Sequence, residues 1–281
     1  MRLDKVFTLS RYELRRAVAR KKVLAIVALT ILLDTVPYYA LAVVGISRIP
    51  APYHPYFWVL GVFIPQAFFL QFIALLIAAG SMSEEYEQGT AEVLLSKPVG
   101  REEYFFGKYL GGYLLLVLVI ILNVVLSVAS ATYGFGPQVG LEILPLVLLV
   151  QAFSALVFFS VSFMIGELVR RSSLSYILSA AVFFTSQIVG AYLTVVYSLT
   201  GQGIFRVASL YLPTSPVDSL SLLLAEPSFP STVQTLFRLG DVGAVETSVW
   251  LSAFLIVTYS VSALIIAVAH FSRTDVAKRI S

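Results

Sequence analysis

Six runs of about 20 apolar residues each dominate this chain, and runs of that length leave little choice of fold. They fall at Val23–Val44, Phe57–Gly80, Tyr109–Thr132, Leu141–Gly166, Leu174–Leu199 and Val249–Ala269, and no lysine or arginine interrupts any of them. A bilayer interior offers no water to backbone N–H and C=O groups, so each segment must satisfy them internally, as a helix does. The expected fold class is all-α, a polytopic membrane protein with six transmembrane helices. With 58% hydrophobic and 12% charged residues and a mean hydropathy of +0.89, the 281 residues supply six spans and modest loops but no separate soluble domain. The absence of cysteine excludes disulfides and thiolate chemistry.

The charges orient the bundle. Of 19 lysines and arginines, 16 fall in residues 1–22, 81–108, 167–173 and 270–281, and 3 fall in the alternate loops. Positive charge gathers on the cytoplasmic side, so both termini and the 81–108 segment are expected there, in a multi-pass protein of the cell membrane. The net charge of +3 is therefore a topology signal and not a nucleic-acid footprint. Residues 1–22 precede the first run without the cleavage pattern of a secretory signal. They place Leu3, Val6, Phe7, Ser10, Leu14, Ala17 and Val18 on one helical face, which fits an amphipathic helix at the membrane surface meeting lipid headgroups. The remaining residues, 23–281, form the six-helix transmembrane domain. The external segment 200–248 is too rich in leucine and tyrosine for a tether. Short helices are expected at 209–213 and 216–224, capping or re-entering the bundle.

The polar stretch 81–108, SMSEEYEQGTAEVLLSKPVGREEYFFGK, is the most informative loop. Gly89 can end one helix, Thr90 can cap a short second one with Glu92 in its first turn, and Pro98 stops it. Gly100 opens a third helix that carries Arg101, Glu102 and Glu103. The short helix brings Val93, Leu94 and Leu95 to the water boundary, where they form a contact surface, fold back under their own bundle or dip into the headgroups.

Within the spans the acids are Asp34 and, at an edge, Glu142. Asp34 is either a functional intramembrane carboxylate or a partly solvated group near the end of a helix kinked at Pro37. Gln66, Gln71, Asn123, Gln151 and Gln187 are candidates for lining a pathway or for bridging helices. Gly107, Gly111 and Gly112 form a small-residue face for close packing. No catalytic or metal constellation emerges. His54 and His270 belong on opposite sides of the membrane, Gly45-Ile46-Ser47-Arg48 lacks a histidine base, and no G-x-x-x-x-G-K-[ST] loop exists to cradle ATP.

The run Glu85-Tyr86-Glu87-Gln88-Gly89-Thr90-Ala91-Glu92-Val93-Leu94-Leu95-Ser96-Lys97-Pro98-Val99-Gly100-Arg101, followed by Gly107-Lys108-Tyr109, closely resembles the first cytoplasmic loop of ABC type-2 exporter permeases. It is most similar to the stand-alone permeases of the sodium-efflux and copper-maturation type. Gly100 departs from the small hydroxyl residue common in that family. The resemblance implies a coupling helix at Thr90–Ser96 that docks on a separate ABC ATPase chain through Val93, Leu94 and Leu95, bounded by Gly89 and Pro98 and flanked by Arg101 and Glu102. It further implies ATP and Mg on that ATPase with no cofactor on this chain, and a second permease chain, as a homodimer, with the pathway between the two. This makes the chain a non-catalytic transport subunit. Two other classes stay open: an ion-coupled secondary transporter using Asp34, and a non-transporting membrane scaffold.

Overall fold

The computed structural model describes residues 3–18, 21–45, 49–95, 100–231, 234 and 247–274. All regular structure among them is helical: α1 (Leu3–Val18), α2 (Lys21–Val44), α3 (Trp58–Pro65), α4 (Gln71–Glu87), α5 (Thr90–Leu95), α6 (Arg101–Phe135), α7 (Leu144–Val169), α8 (Ser172–Thr200), α9 (Gly203–Leu210), α10 (Thr214–Ala225) and α11 (Val249–Arg273). Six segments are long and apolar enough to cross a membrane, as expected: Val23–Val43 in α2, Trp58–Glu87 through α3 and α4, Arg101–Phe135, Leu141–Val169, Ser172–Thr200 and Val249–Arg273. Most are longer than their apolar runs because helix continues past the greasy stretch into charged residues at the α5 end.

The second span is not a plain helix. Pro65 closes α3, and Gln66–Leu70 form one π-helical turn before α4 begins. Proline lacks the N–H that would bond the carbonyl four residues back, and a wide turn lets the chain absorb the mismatch. This broken span is also the most enclosed, with 67% of its apolar window buried against 17% for α8. It packs chiefly on α7, which also packs on α11.

Three apolar clusters hold the bundle. At the α5 end Tyr104, Phe105, Phe163 and Phe271 pack with Met82 and Ala91. At the opposite end Phe57 stacks on Phe135 at 4.1 Å beside Tyr38 and Trp58. Between them Leu75, Phe158, Phe183, Val217, Leu220 and Ile256 join α4, α7, α8, α10 and α11. Val217 and Leu220 are buried there, so α10 enters the bundle as its leucine pattern suggested. The first of the expected short helices is displaced: α9 occupies Gly203–Leu210, and Tyr211–Pro213 form the turn into α10. The apolar Ile204–Phe205 pair extends the helix toward the N-terminus, whereas Pro213 only marks the break.

α1 is an amphipathic helix whose inward face packs on α6. Val6 and Ser10 are buried, and the Ser10 hydroxyl donates to the Gly107 carbonyl at 3.2 Å, while Leu3, Phe7 and Val18 stay exposed. The glycines of α6 make this approach possible. A Cβ on Gly107 would sit 2.6 Å from Leu9 Cβ, and one on Gly111 would sit 2.6 Å from Glu13 Cβ and 3.0 Å from the Ser10 carbonyl oxygen. Gly112 faces the other way, toward Phe159 and Ile77. Two of the three small residues thus serve α1 and not a neighbouring span. Gly111→Val should lift α1 at a cost of about 1–3 kcal/mol, read as faster tryptic cleavage at Arg11 and Arg15. Gly203→Ala, where an added Cβ meets nothing within 4 Å, should leave cleavage unchanged.

Candidate functional site

The residues read as a contact surface lie on α5 and on the corner that α4, α5 and α6 make at one end of the bundle. Gly89 turns the chain with φ +67°, a backbone conformation that side chains disfavour, and so lets α5 start directly after α4. On α5, Ala91 is buried in the apolar cluster below and Val93 is 61% exposed. The side chains of Glu92, Leu94 and Leu95 lie outside the described residues, as does Pro98 altogether. Gly100 heads α6, and the Glu103 carboxylate accepts its N–H at 3.0 Å. That bond supplies half of a capping box; the returning half needs the hydroxyl that glycine lacks. Arg101 and Glu102 are exposed, whereas Glu103 is buried and faces Lys5 of α1 at 3.7 Å.

Beneath α5 sits a buried ionic cluster. The Glu85 carboxylate, in a residue 1% exposed, meets Arg16 at 2.5 Å and Lys108 at 3.0 Å, and accepts the Thr90 hydroxyl at 2.5 Å. Lys108 also reaches Glu13 at 2.6 Å. Two acids and two bases thus close on one another, which satisfies the rule that buried charge must be paired. Burial would weaken the Arg16 guanidinium's hold on its proton, but Glu85 and Glu13 outweigh it and keep this group more basic than usual. The cluster joins α1, α4, α5 and α6.

The neighbours of Glu85 reach the remaining helices. Glu84 accepts the Tyr176 hydroxyl of α8 at 2.5 Å, and Glu87 accepts the Ser172 backbone N–H at 2.9 Å and its hydroxyl. Tyr86 donates to Glu167 of α7, which is fully buried and also contacts Arg170 at 3.2 Å and His270 of α11 at 3.1 Å. The Arg170 guanidinium lies 4.6 Å above the Tyr86 ring. Four consecutive residues, Glu84 to Glu87, therefore tie α4 to α1, α5, α6, α7 and α8, and through Glu167 to α11. Glu167 and His270 were invisible as a pair in the sequence. Glu167 falls one residue beyond the apolar run ending at Gly166, and its spacing from Arg170 was the only available signal.

The polar residues of the spans converge elsewhere, on the break in the second span. Gln151 donates to the Val62 carbonyl at 3.0 Å, Gln187 to the Ala67 carbonyl at 3.1 Å and Asn123 to the Gly61 carbonyl at 3.5 Å. Gly61 is four residues before Pro65, so its carbonyl is the one the proline leaves without a helical partner. Gln66 donates to the Val217 carbonyl at 3.2 Å and the Ser221 hydroxyl at 2.6 Å on α10. Gln71 is buried without joining this bonding. Asp34 lies in the middle of α2, three residues before Pro37, and its side chain is outside the described residues.

This architecture defines a class: a polytopic helical membrane protein with a short helix carried at one end on a buried ionic base. Residues 7–276 match the family model for the ABC-2 family transporter protein, and the chain belongs to that family. A probable ABC transporter permease protein NosY from Pseudomonas aeruginosa is 32% identical over 143 residues. The match spans half of this chain and half the length of that relative.

Lys108→Met should leave the Glu85 and Glu13 carboxylates to share Arg16 alone, one buried negative charge in excess, costing about 3–5 kcal/mol. Glu85→Gln, which keeps an acceptor for Thr90, should cost less. Melting curves of the purified protein in detergent should place the methionine variant lowest.

Proposed function

We propose that this chain is the membrane subunit of an ATP-driven exporter and that α5 is the helix through which a separate ATPase subunit moves it. The observation that carries this reading is the mounting of α5: Ala91 and Thr90 hold it to the bundle while Val93 faces outward, 61% exposed. An apolar side chain displayed from a helix fixed so firmly beneath is suited to a protein partner. Family membership points the same way, and the sequence contains no phosphate-cradling loop of its own. ATP and Mg2+ would be held by the partner. The distribution of lysine and arginine supports a cytoplasmic side for α5 and both termini, where ATP is.

In this mechanism ATP draws two ATPase subunits together, and each pushes on the α5 of one permease in a pair. Glu85 passes the displacement to α1 and α6, and Tyr86, Glu84 and Glu87 pass it to α7 and α8, so the end of the bundle moves as one body. The pathway would run between two copies of the chain. The weakly buried α8 and α2 leave ample outer surface for a second copy and for lipid.

Leu94→Asp with Leu95→Asp should detach the ATPase from membranes by at least tenfold in co-purification while the permease melts normally. Undiminished co-purification would overturn the assignment of α5. A non-transporting scaffold would keep the ATPase bound yet give vesicles no ATP-dependent transport.

A further inference from the structure

The ionic corner and the span glutamines leave one group of atoms unexplained. Gln71 is 1% exposed, and among the described residues neither the oxygen nor the nitrogen of its amide has a partner. The side-chain oxygens of Gln66, Gln151 and Ser154, all buried, likewise have no partner among the described residues. A buried amide without a hydrogen bond is costly anywhere, and more so in a span that has no access to bulk water.

The elements that carry these residues meet, since α7 packs on α4 and the π turn leads directly into α4. Gln151 and Ser154 are three apart on α7 and share a face, and Gln151 reaches Val62, one turn before Gln66. Leu75, four residues after Gln71 and on the same face of α4, belongs to the same buried cluster as Val150, Val157 and Phe158 of α7 and Val217 of α10. Val217 is also the residue whose carbonyl Gln66 engages. The π turn contributes as well, because residues five apart stack in such a turn and Gln71 is carried toward the face of Gln66. The amide nitrogens of Gln66 and Gln151 are already committed to carbonyls, so what these two present where the elements meet is oxygen. A guest that mainly donates is required, and the Gln71 amide nitrogen asks that it also accept.

We propose that the break in the second span is an internal hydration site, holding one or two ordered water molecules between Gln66, Gln71, Gln151 and Ser154. Water both donates and accepts, and it carries no charge into the middle of the bundle. It would give the π turn spare hydrogen-bond partners, so that α3 and α4 can change their mutual angle at Gln66–Leu70 without stranding a carbonyl.

X-ray hydroxyl-radical labelling of the purified chain tests this directly. Leu75 and Phe158, 0% and 1% exposed, should take up oxygen because water lies beside them, and absence of label at both would overturn the site. Gln71→Leu should abolish that label and lower the melting temperature by about 3 °C or more. A rise in melting temperature would mean that the amide was an uncompensated burden, and the proposal fails. Replacing sodium and potassium with choline should leave melting unchanged; a shift would indicate a bound cation in place of water and would overturn the assignment.

Discussion

The carboxylate of Glu85 is the constraint around which the cytoplasm-facing architecture proposed above is arranged. An isolated ionised group so deeply buried would be prohibitively unfavourable, and it persists because Arg16, Lys108 and Thr90 come from three different helices to meet it. Meeting it fixes where those helices must be. Lys108 brings α6 to α4, Arg16 draws in α1 and Thr90 seats α5. Charge pairing in such a place contributes more to geometry than to net stability, since most of the attraction is spent on desolvation.

A second constraint operates halfway along the bundle. Pro65 disrupts the hydrogen-bond ladder of the span most enclosed by its neighbours, and amides from α6, α7 and α8 supply the missing donors. The two ends of that span are thus held by different chemistry: ion pairs and hydroxyls at the bottom, aromatic packing and the Tyr38 hydroxyl, which accepts from the Gly61 N–H at 2.9 Å, at the top. Rigid anchors on both sides of a widened turn concentrate bending at the turn itself.

Much of this was legible in the chain of letters, and what was not has physical reasons. Apolar run length located all six crossings because the bilayer imposes one thickness on every helix. The Gly89 turn and the helix after it could be read because glycine and apolar clustering leave local marks. Partnerships across the sequence could not be read. Glu84, Glu85 and Glu87 looked like a generic acidic helix end, and nothing local distinguished the residue that pairs with Lys108 from the one that receives Ser172. The inward packing of α1 was likewise hidden, since the same amphipathic stripe suits a lipid surface or a glycine-faced helix. The break at Pro65 lay hidden inside a long apolar run, where hydropathy drowns the signal of a broken ladder. The span glutamines and Asn123 were recognised as candidates, but only contacts reveal that three of them converge on one strip of backbone.

The length of α6 has a mechanical consequence. Its 35 residues extend about 52 Å, against roughly 30 Å of hydrocarbon, so about 20 Å lies beyond the hydrocarbon, shared between its two ends with the longer arm at the Arg101 end. With the bilayer edge as fulcrum, tilting such a rod by a few degrees sweeps its free tip by only an ångström or two. Carried to the far tip, the same rotation gives a somewhat larger stroke in the opposite sense. A gearing ratio is thus built into helix length alone, and shortening the protruding arm by one turn would change it without touching a single membrane-embedded side chain.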